Sequence, residues 1–333
     1  MAELPAYVQI EPVGQCNLRC QMCPIQFRQD GPPHGPPAFM AFSDFTRVID
    51  QFDTLRELHL QGLGEPMMHP RFFDMVAYAA AKGIRVTTNS NLTLLNDRRA
   101  EQCVLSGLDC VHVSIDGATA ESYERIRLRS NFERVVSNVE RLIATKQRLG
   151  SERPYLHVVV VVMRQNLQEL PDLVRLAHCW QVREMFVQHL CHDFGESSLP
   201  AHYRPMRDFV QMQTLLAEDG ERIERLFAEA RALAQELGIR LRLPRTRPKL
   251  HPVGTPGRVR CDWPWRGAYL SYQGYAMPCC MVATPDRINF GSMAEDGVIP
   301  IWNSAQFQDF RAQLDSDEPP EICRSCAIYT GTF

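Results

Sequence analysis

The chain has no apolar run approaching the ~20 residues that a membrane span needs. Its longest, LHVVVVVM at 156–163, is β-branched and of strand length. The opening MAELPAYVQIEP carries no positive segment followed by an apolar stretch, so no secretory signal is expected and a cytoplasmic location is the default. A basic block is missing too, and the formal net charge of −3 offers no general attraction to polyphosphate or to an anionic bilayer. Neither nucleic acid nor membrane is therefore an expected partner. Internal repeats and low-complexity tracts are also absent.

What is present is 333 residues, 45% hydrophobic and 23% charged, enough for one large domain with a smaller appendage. Strand-like runs at 7–11, 57–61, 85–89, 110–115, 155–163 and 184–190 alternate with amphipathic stretches such as FSDFTRVIDQF and FERVVSNVERLIATKQRLG. About six strand–helix units imply a parallel sheet with right-handed crossovers, an α/β partial (β/α)6 barrel whose chemistry sits at the C-terminal strand ends. This barrel is expected over 1–200. A helical bridge, reading as one helix from Met206 to Leu237, and a Pro-rich basic linker fill 201–250. Residues 251–333 form a small α+β unit with a hairpin turning at Gly274 and a helix from Ser304 to Leu314.

Twelve cysteines are many for a reducing compartment, where metal ligation or burial is the better reading than disulfides. Cys16-x3-Cys20-x2-Cys23 follows the first strand. Three closely spaced thiolates can hold three corners of an iron–sulfur cubane and leave the fourth iron open. Structural zinc, the competing reading, wants a fourth ligand, and His34 stands beyond a Gly/Pro-rich stretch.

EPVGQCNLRCQMCP resembles the signature loop of the radical S-adenosylmethionine (SAM) superfamily. The resemblance implies a [4Fe-4S] cluster on Cys16, Cys20 and Cys23 whose open iron chelates SAM, with Met22 packing on the adenine. Gly62-Leu63-Gly64-Glu65-Pro66 is similar to the family's glycine-rich Glu-Pro segment, although Leu63 stands where a glycine is common; Gly64 and Glu65 would then meet the SAM ammonium. Thr88-Asn89-Ser90-Asn91 and Ser114-Ile115-Asp116-Gly117 resemble the motifs of the next two strand ends, which implies SAM contacts from Asn89 and Ser114. Arg127 matches an Arg that pairs with the SAM carboxylate, with Arg129 as the alternative. Taken singly, each of these polar residues suits a cap or turn equally well.

Four more thiols follow at Cys261, Cys279, Cys323 and Cys326, in a segment resembling the SPASM/twitch region. That resemblance implies an auxiliary [4Fe-4S] cluster, and only one, because no cysteine follows Cys326. A zinc ribbon is the bland alternative. Cys280 competes with Cys279, but neighbours on a strand face opposite ways, so one of the two should ligate. Cys103, Cys110 and Cys179 read as buried inert thiols.

A fully ligated second cluster points to electron transfer, as in the similar twitch-domain aminocyclitol dehydrogenase and the sulfatase-maturing enzymes. The expected function is thus an oxidoreductase that takes hydrogen from a small polar, sugar- or aminocyclitol-like substrate, fed by an external one-electron donor of flavodoxin or ferredoxin type. No leader-binding domain is expected, since the barrel begins within the first ten residues. Peptide maturation, and sugar decarboxylation or epimerisation, are the alternatives; a two-cluster electron carrier and a zinc-stabilised interaction module are the non-enzyme readings. Asp193 and Glu196 are the candidate bases and Cys191 a candidate hydrogen-atom donor, with His189, His192, Arg129 and Tyr329 as further substrate groups.

Overall fold

The computed structural model describes residues 3–29, 38–190 and 194–333. Six parallel strands run β1 (Tyr7–Ile10), β2 (Glu57–Leu60), β3 (Arg85–Ser90), β4 (Cys110–Ser114), β5 (Tyr155–Val161) and β6 (Glu184–Gln188). Between them lie α1 (Phe42–Ile49), α2 (Phe72–Ala81), α3 (Asp97–Leu105), α4 (Ala120–Ile126), α5 (Phe132–Arg148) and α6 (Leu170–Cys179). The partial barrel expected from the alternation is therefore present.

The period of two along each strand separates a dry face from a wet one. Val8, Ile10, Leu58, Leu60, Val86, Val111, Val113, Val158 and Val160 are fully buried and belong to the main apolar core with the helices. Their neighbours Gln9, His59, Gln61, Thr87, Asn89 and His112 line an interior lumen instead. A barrel with a polar interior can hold a polar ligand.

Three features differ from the sequence expectation. Among the described residues the sheet has nine strands: β7 (Arg240–Arg242) adds to β6, and the C-terminal hairpin of β8 (Gly267–Leu270) and β9 (Ala276–Met277) joins the other edge. β8 pairs parallel with β1, so that Tyr7 lies between Glu57 and Gly267. All four residues of β8 are buried, as an internal parallel strand requires. β7 escaped detection because Arg-Leu-Arg shows no apolar signal.

The bridge, in turn, is two helices, α7 (Arg204–Gln213) and α8 (Gly220–Glu236). Thr214 leaves the helix in extended geometry and its hydroxyl accepts from Leu216 N, while Asp219 caps α8 by accepting from Glu221 N. The last long helix, α9 (Ala305–Leu314), begins where Ser304 accepts from Phe307 N. Among the described residues no helix is long and apolar enough to cross a membrane.

The loop leaving β1 is closed on itself by an ion pair. Arg28 donates Nη1 to Glu11 Oε1 at 2.8 Å and Nη2 to Oε2 at 3.1 Å, and both side chains are fully buried. Truncating Arg28→Ala strands a carboxylate in a dry site, which should destabilise the fold by about 3–5 kcal/mol in urea unfolding of the holoprotein. A loss below about 1 kcal/mol would mean that the pair is screened like a surface one.

Candidate functional site

The three cysteines of the first loop fall in one cavity at the C-terminal ends of the strands. Cys16, Cys20, Met22, Cys23, Gly64, Glu65, Asn89, Ser114 and Arg127, all singled out in the sequence, line it together. Residues from five separate loops and strand ends thus converge, which sequence alone could only infer from their order.

Local contacts explain how. Gly64 must be glycine because a Cβ there would lie 1.9 Å from Val13 O; the close approach serves the cysteine loop itself. Glu65 N donates to Gln15 O at 3.0 Å, stitching the two loops together. Asn91 Nδ2 reaches Asn17 Oδ1 at 3.1 Å, and Asn17 Nδ2 reaches Thr93 Oγ1 at 2.7 Å. On the other side, Cys20 pairs with Arg127 in a two-stranded antiparallel ladder.

Arg127 Nε donates to Asp116 Oδ2 at 2.7 Å, and its Nη1 lies 3.9 Å from Cys20 Sγ. Burial pushes the Asp116 carboxyl up, and the Arg127 guanidinium and the Val161 N–H pull it back. For Arg127 itself, burial works against the cation, but Asp116, Cys20 and Tyr123 together outweigh it, so the guanidinium stays charged. Arg129 is exposed, with φ +70°, which leaves Arg127 as the arginine of the cavity. The role of Asp116 as its anchor was not legible in sequence, although the motif containing it was.

Glu65 is 3% exposed and accepts from Ser90 Oγ at 2.7 Å, Asn91 N at 2.8 Å and Met67 N at 3.2 Å. Burial still raises its pKa despite these donors. A cation arriving in the cavity would relieve that penalty, so the site fits a ligand ammonium.

The thiols fit a cluster by the same reasoning. Burial raises the pKa of Cys16 and Cys20, and burial together with Cys20 pushes Cys23 to about 12. Three crowded thiols in a dry pocket become thiolates readily only when a metal supplies positive charge. No further cysteine or histidine lines this cavity among the described residues, so a cubane held there would have three corners on protein thiols and one left for a ligand.

Cys261, Cys279, Cys323 and Cys326 line a second, separate pocket with apolar neighbours such as Val282, Phe310 and Ile328. Burial and the other thiols raise the Cys279 pKa well above the usual thiol range. Four thiols in one apolar pocket fit a fully ligated cluster. Cys280 is absent from that pocket and lines the barrel lumen, with Met281 beside it.

The catalytic candidates fare differently. Cys191, His192 and Asp193 lie outside the described residues. Glu196 is 4% exposed and held by Arg287, whose Nε donates to its Oε1 at 2.7 Å. Arg287 lines the second cysteine pocket, so Glu196 ties the barrel to the C-terminal unit. His189 Nε2 bonds Arg245 O at 2.7 Å, and Tyr329 OH accepts from Arg260 Nη1 at 2.9 Å. None of Glu196, His189, Arg129 and Tyr329 lines the first cavity or the lumen.

Comparison with known proteins gives a consistent picture. Residues 10–177 match the family described as the radical SAM superfamily, and residues 261–327 match the SPASM iron–sulfur cluster-binding domain. The tungsten-containing aldehyde ferredoxin oxidoreductase cofactor-modifying protein of Pyrococcus furiosus is 26% identical over 97% of this chain and 87% of its own. The PqqA peptide cyclase of Xanthomonas euvesicatoria is 24% identical over 98% and 81%. Among solved structures, Streptococcus suis SuiB bound to S-adenosylmethionine superposes with a TM-score of 0.70 at 14% identity, over 99% of this chain and 72% of that one. At that identity the likeness shows the fold alone.

Gly64→Ala tests how the cavity is built. The variant should keep the iron of the second pocket and lose that of the first, so that the iron content after anaerobic reconstitution falls from about eight to about four per chain. Full iron retention would show that the loops can part without cost.

Proposed function

Because the chain belongs to the radical SAM superfamily and carries a C-terminal SPASM domain, we propose that it is a peptide-modifying radical SAM enzyme. It binds [4Fe-4S] clusters and SAM. In this reading Cys16, Cys20 and Cys23 hold the SAM-binding cluster, and Cys261, Cys279, Cys323 and Cys326 hold a single auxiliary one. Bound together, the first cluster and SAM supply a 5′-deoxyadenosyl radical for hydrogen abstraction, and the auxiliary cluster supplies an acceptor for the electron left on the substrate.

The observation that carries the reading is the lumen. It shares Gln61, Gly62, Leu63, Asn89, Val159 and Gln188 with the SAM cavity and extends to Cys280 and Met281, beside Cys279 of the auxiliary pocket. A substrate placed there faces both cysteine sites. Gln9, Gln61, Asn89 and Gln188 offer amide donors and acceptors, the groups that a peptide backbone pairs with. Burial lowers His59 to about 3 and His112 to about 4, so these rings present neutral faces at neutral pH. Glu65 and Arg127 supply opposite charges for the ammonium and carboxylate of SAM.

The sequence had favoured a small polar metabolite. Relatives named for peptides reverse that preference: the PqqA peptide cyclases align along nearly the whole chain, and SuiB, of the same fold, has been solved with its precursor peptide SuiA. Oxidation or crosslinking of a peptide side chain, with an external flavodoxin- or ferredoxin-type donor, is the proposed reaction class.

The holoenzyme, reduced with dithionite in the presence of SAM, provides the test. Cys16→Ala/Cys20→Ala/Cys23→Ala should abolish 5′-deoxyadenosine formation and leave about four irons of about eight. With the unaltered enzyme, pooled synthetic peptides should raise 5′-deoxyadenosine formation above the substrate-free rate and yield a peptide product lighter by a hydrogen pair. Stimulation by pooled aminocyclitols and hexoses, with none by peptides, would overturn the peptide reading in favour of the small-metabolite one.

A further inference from the structure

The barrel wall carries a set of metal-binding side chains that neither cysteine site uses. Cys110 and His112 stand two residues apart on β4 and therefore project to the same face. His112 lies directly opposite His157 in the parallel register of β4 and β5. One ligand atom from each of the three residues lies within 4.8 Å of the other two.

The detailed geometry favours a cation over simple packing. His112 Nε2 is 3.8 Å from Cys110 Sγ. A tetrahedral zinc with its usual Zn–S and Zn–N bonds sets these two atoms ~3.6 Å apart, so little movement is required. His112 Nδ1 is 3.3 Å from Thr88 O, and since a carbonyl can only accept, Nδ1 carries the ring proton and Nε2 presents its lone pair toward the thiol. This is the arrangement by which a backbone carbonyl orients a metal-ligating histidine. The rings also stack edge-to-face, His59 on His112 at 5.7 Å and His112 on His157 at 5.3 Å. Stacking accounts for the rings; without a metal the Cys110 S–H donates to His112 Nε2, and a cation would take the place of that proton between the two atoms.

We propose that Cys110, His112 and His157 form a binding site for a divalent cation of the zinc type, with three protein ligands and an open fourth position. His112 lines the lumen, whereas His157 lines a cleft at the N-terminal ends of the strands, so a cation reaches the site without crossing the SAM cavity. His157 Nε2 lies 3.8 Å from Glu184 Oε2. Arg85 and Arg153 pair with Asp109 and Arg240 pairs with Glu184, while Lys146, Arg183 and Glu152 also line the cleft; its field does not draw in a cation, and the pull comes from the ligand atoms. Binding exchanges the Cys110 thiol proton, released to solvent, for the metal.

The test uses the holoenzyme with both clusters in place. One equivalent of zinc chloride is added, the protein is desalted, zinc and iron are counted by mass spectrometry, and the zinc environment is read by zinc-edge X-ray absorption, which iron does not obscure. About one zinc per chain should remain, bound by one sulfur and two imidazole nitrogens with a further light atom, and with iron unchanged. Cys110→Ser and His157→Gln should each bring retained zinc to background while iron stays at the wild-type level, which shows that the barrel and both clusters survive. Should Cys110→Ser lose iron, the partly exposed His157→Gln decides alone. Failure to retain zinc, a four-sulfur environment, or zinc kept by His157→Gln would overturn the proposal.

Discussion

The buried pair of Glu11 with Arg28 is the constraint on which the rest of the site depends. It joins the end of β1 to a residue seventeen positions later and so closes the loop that carries Cys16, Cys20 and Cys23. Glu11 Oε1 also accepts from Leu63 N at 3.0 Å, and a Cβ on Gly62 would meet the Glu11 side chain at 2.4 Å. One carboxylate therefore sets both the cysteine loop and the glycine-rich segment opposite it. Ion pairs of this kind add little net stability compared with apolar packing. Their consequence here is a single loop geometry, since any other leaves a charge buried alone.

Around that loop, the cavity gathers groups that burial leaves in need of a ligand. Glu65 is raised by burial, the thiols are raised by burial and by each other, and Arg127 is kept charged by Asp116. On the proposed reading a cluster answers the thiols, an ammonium answers Glu65, and a carboxylate answers the remaining face of Arg127. The lumen below has the opposite character, with amides and neutral rings that can bind a polar substrate without holding it by charge. Strong binding at the SAM end and neutral polarity at the substrate end suit a radical enzyme whose substrate must enter and leave.

Much of this was legible in the sequence because the signals are local. The β-branched runs marked six strands, and the motifs fell at their C-terminal ends, where barrel loops converge. What escaped detection is non-local. The parallel pairing of Gly267–Leu270 with Tyr7–Ile10 spans most of the chain, and its residues read equally well as a free-standing hairpin. Glu196 looked like a loop carboxylate until its partner Arg287, 91 residues away, was in view. Cys110 read as an inert thiol because His157, its proposed partner, lies on the neighbouring strand beyond two helices. The substrate class was not legible for another reason: where a barrel begins says nothing of what enters it.

The most direct measurement of the central claim is electron–nuclear double resonance on the reduced enzyme, with SAM isotopically labelled at its amino nitrogen and its carboxylate. The account predicts hyperfine coupling of both labels to a reduced cluster, lost when Cys16, Cys20 and Cys23 are replaced and kept when the auxiliary cysteines are. Absence of coupling in a fully reconstituted sample, or coupling of a protein nitrogen or oxygen in its place, would contradict it.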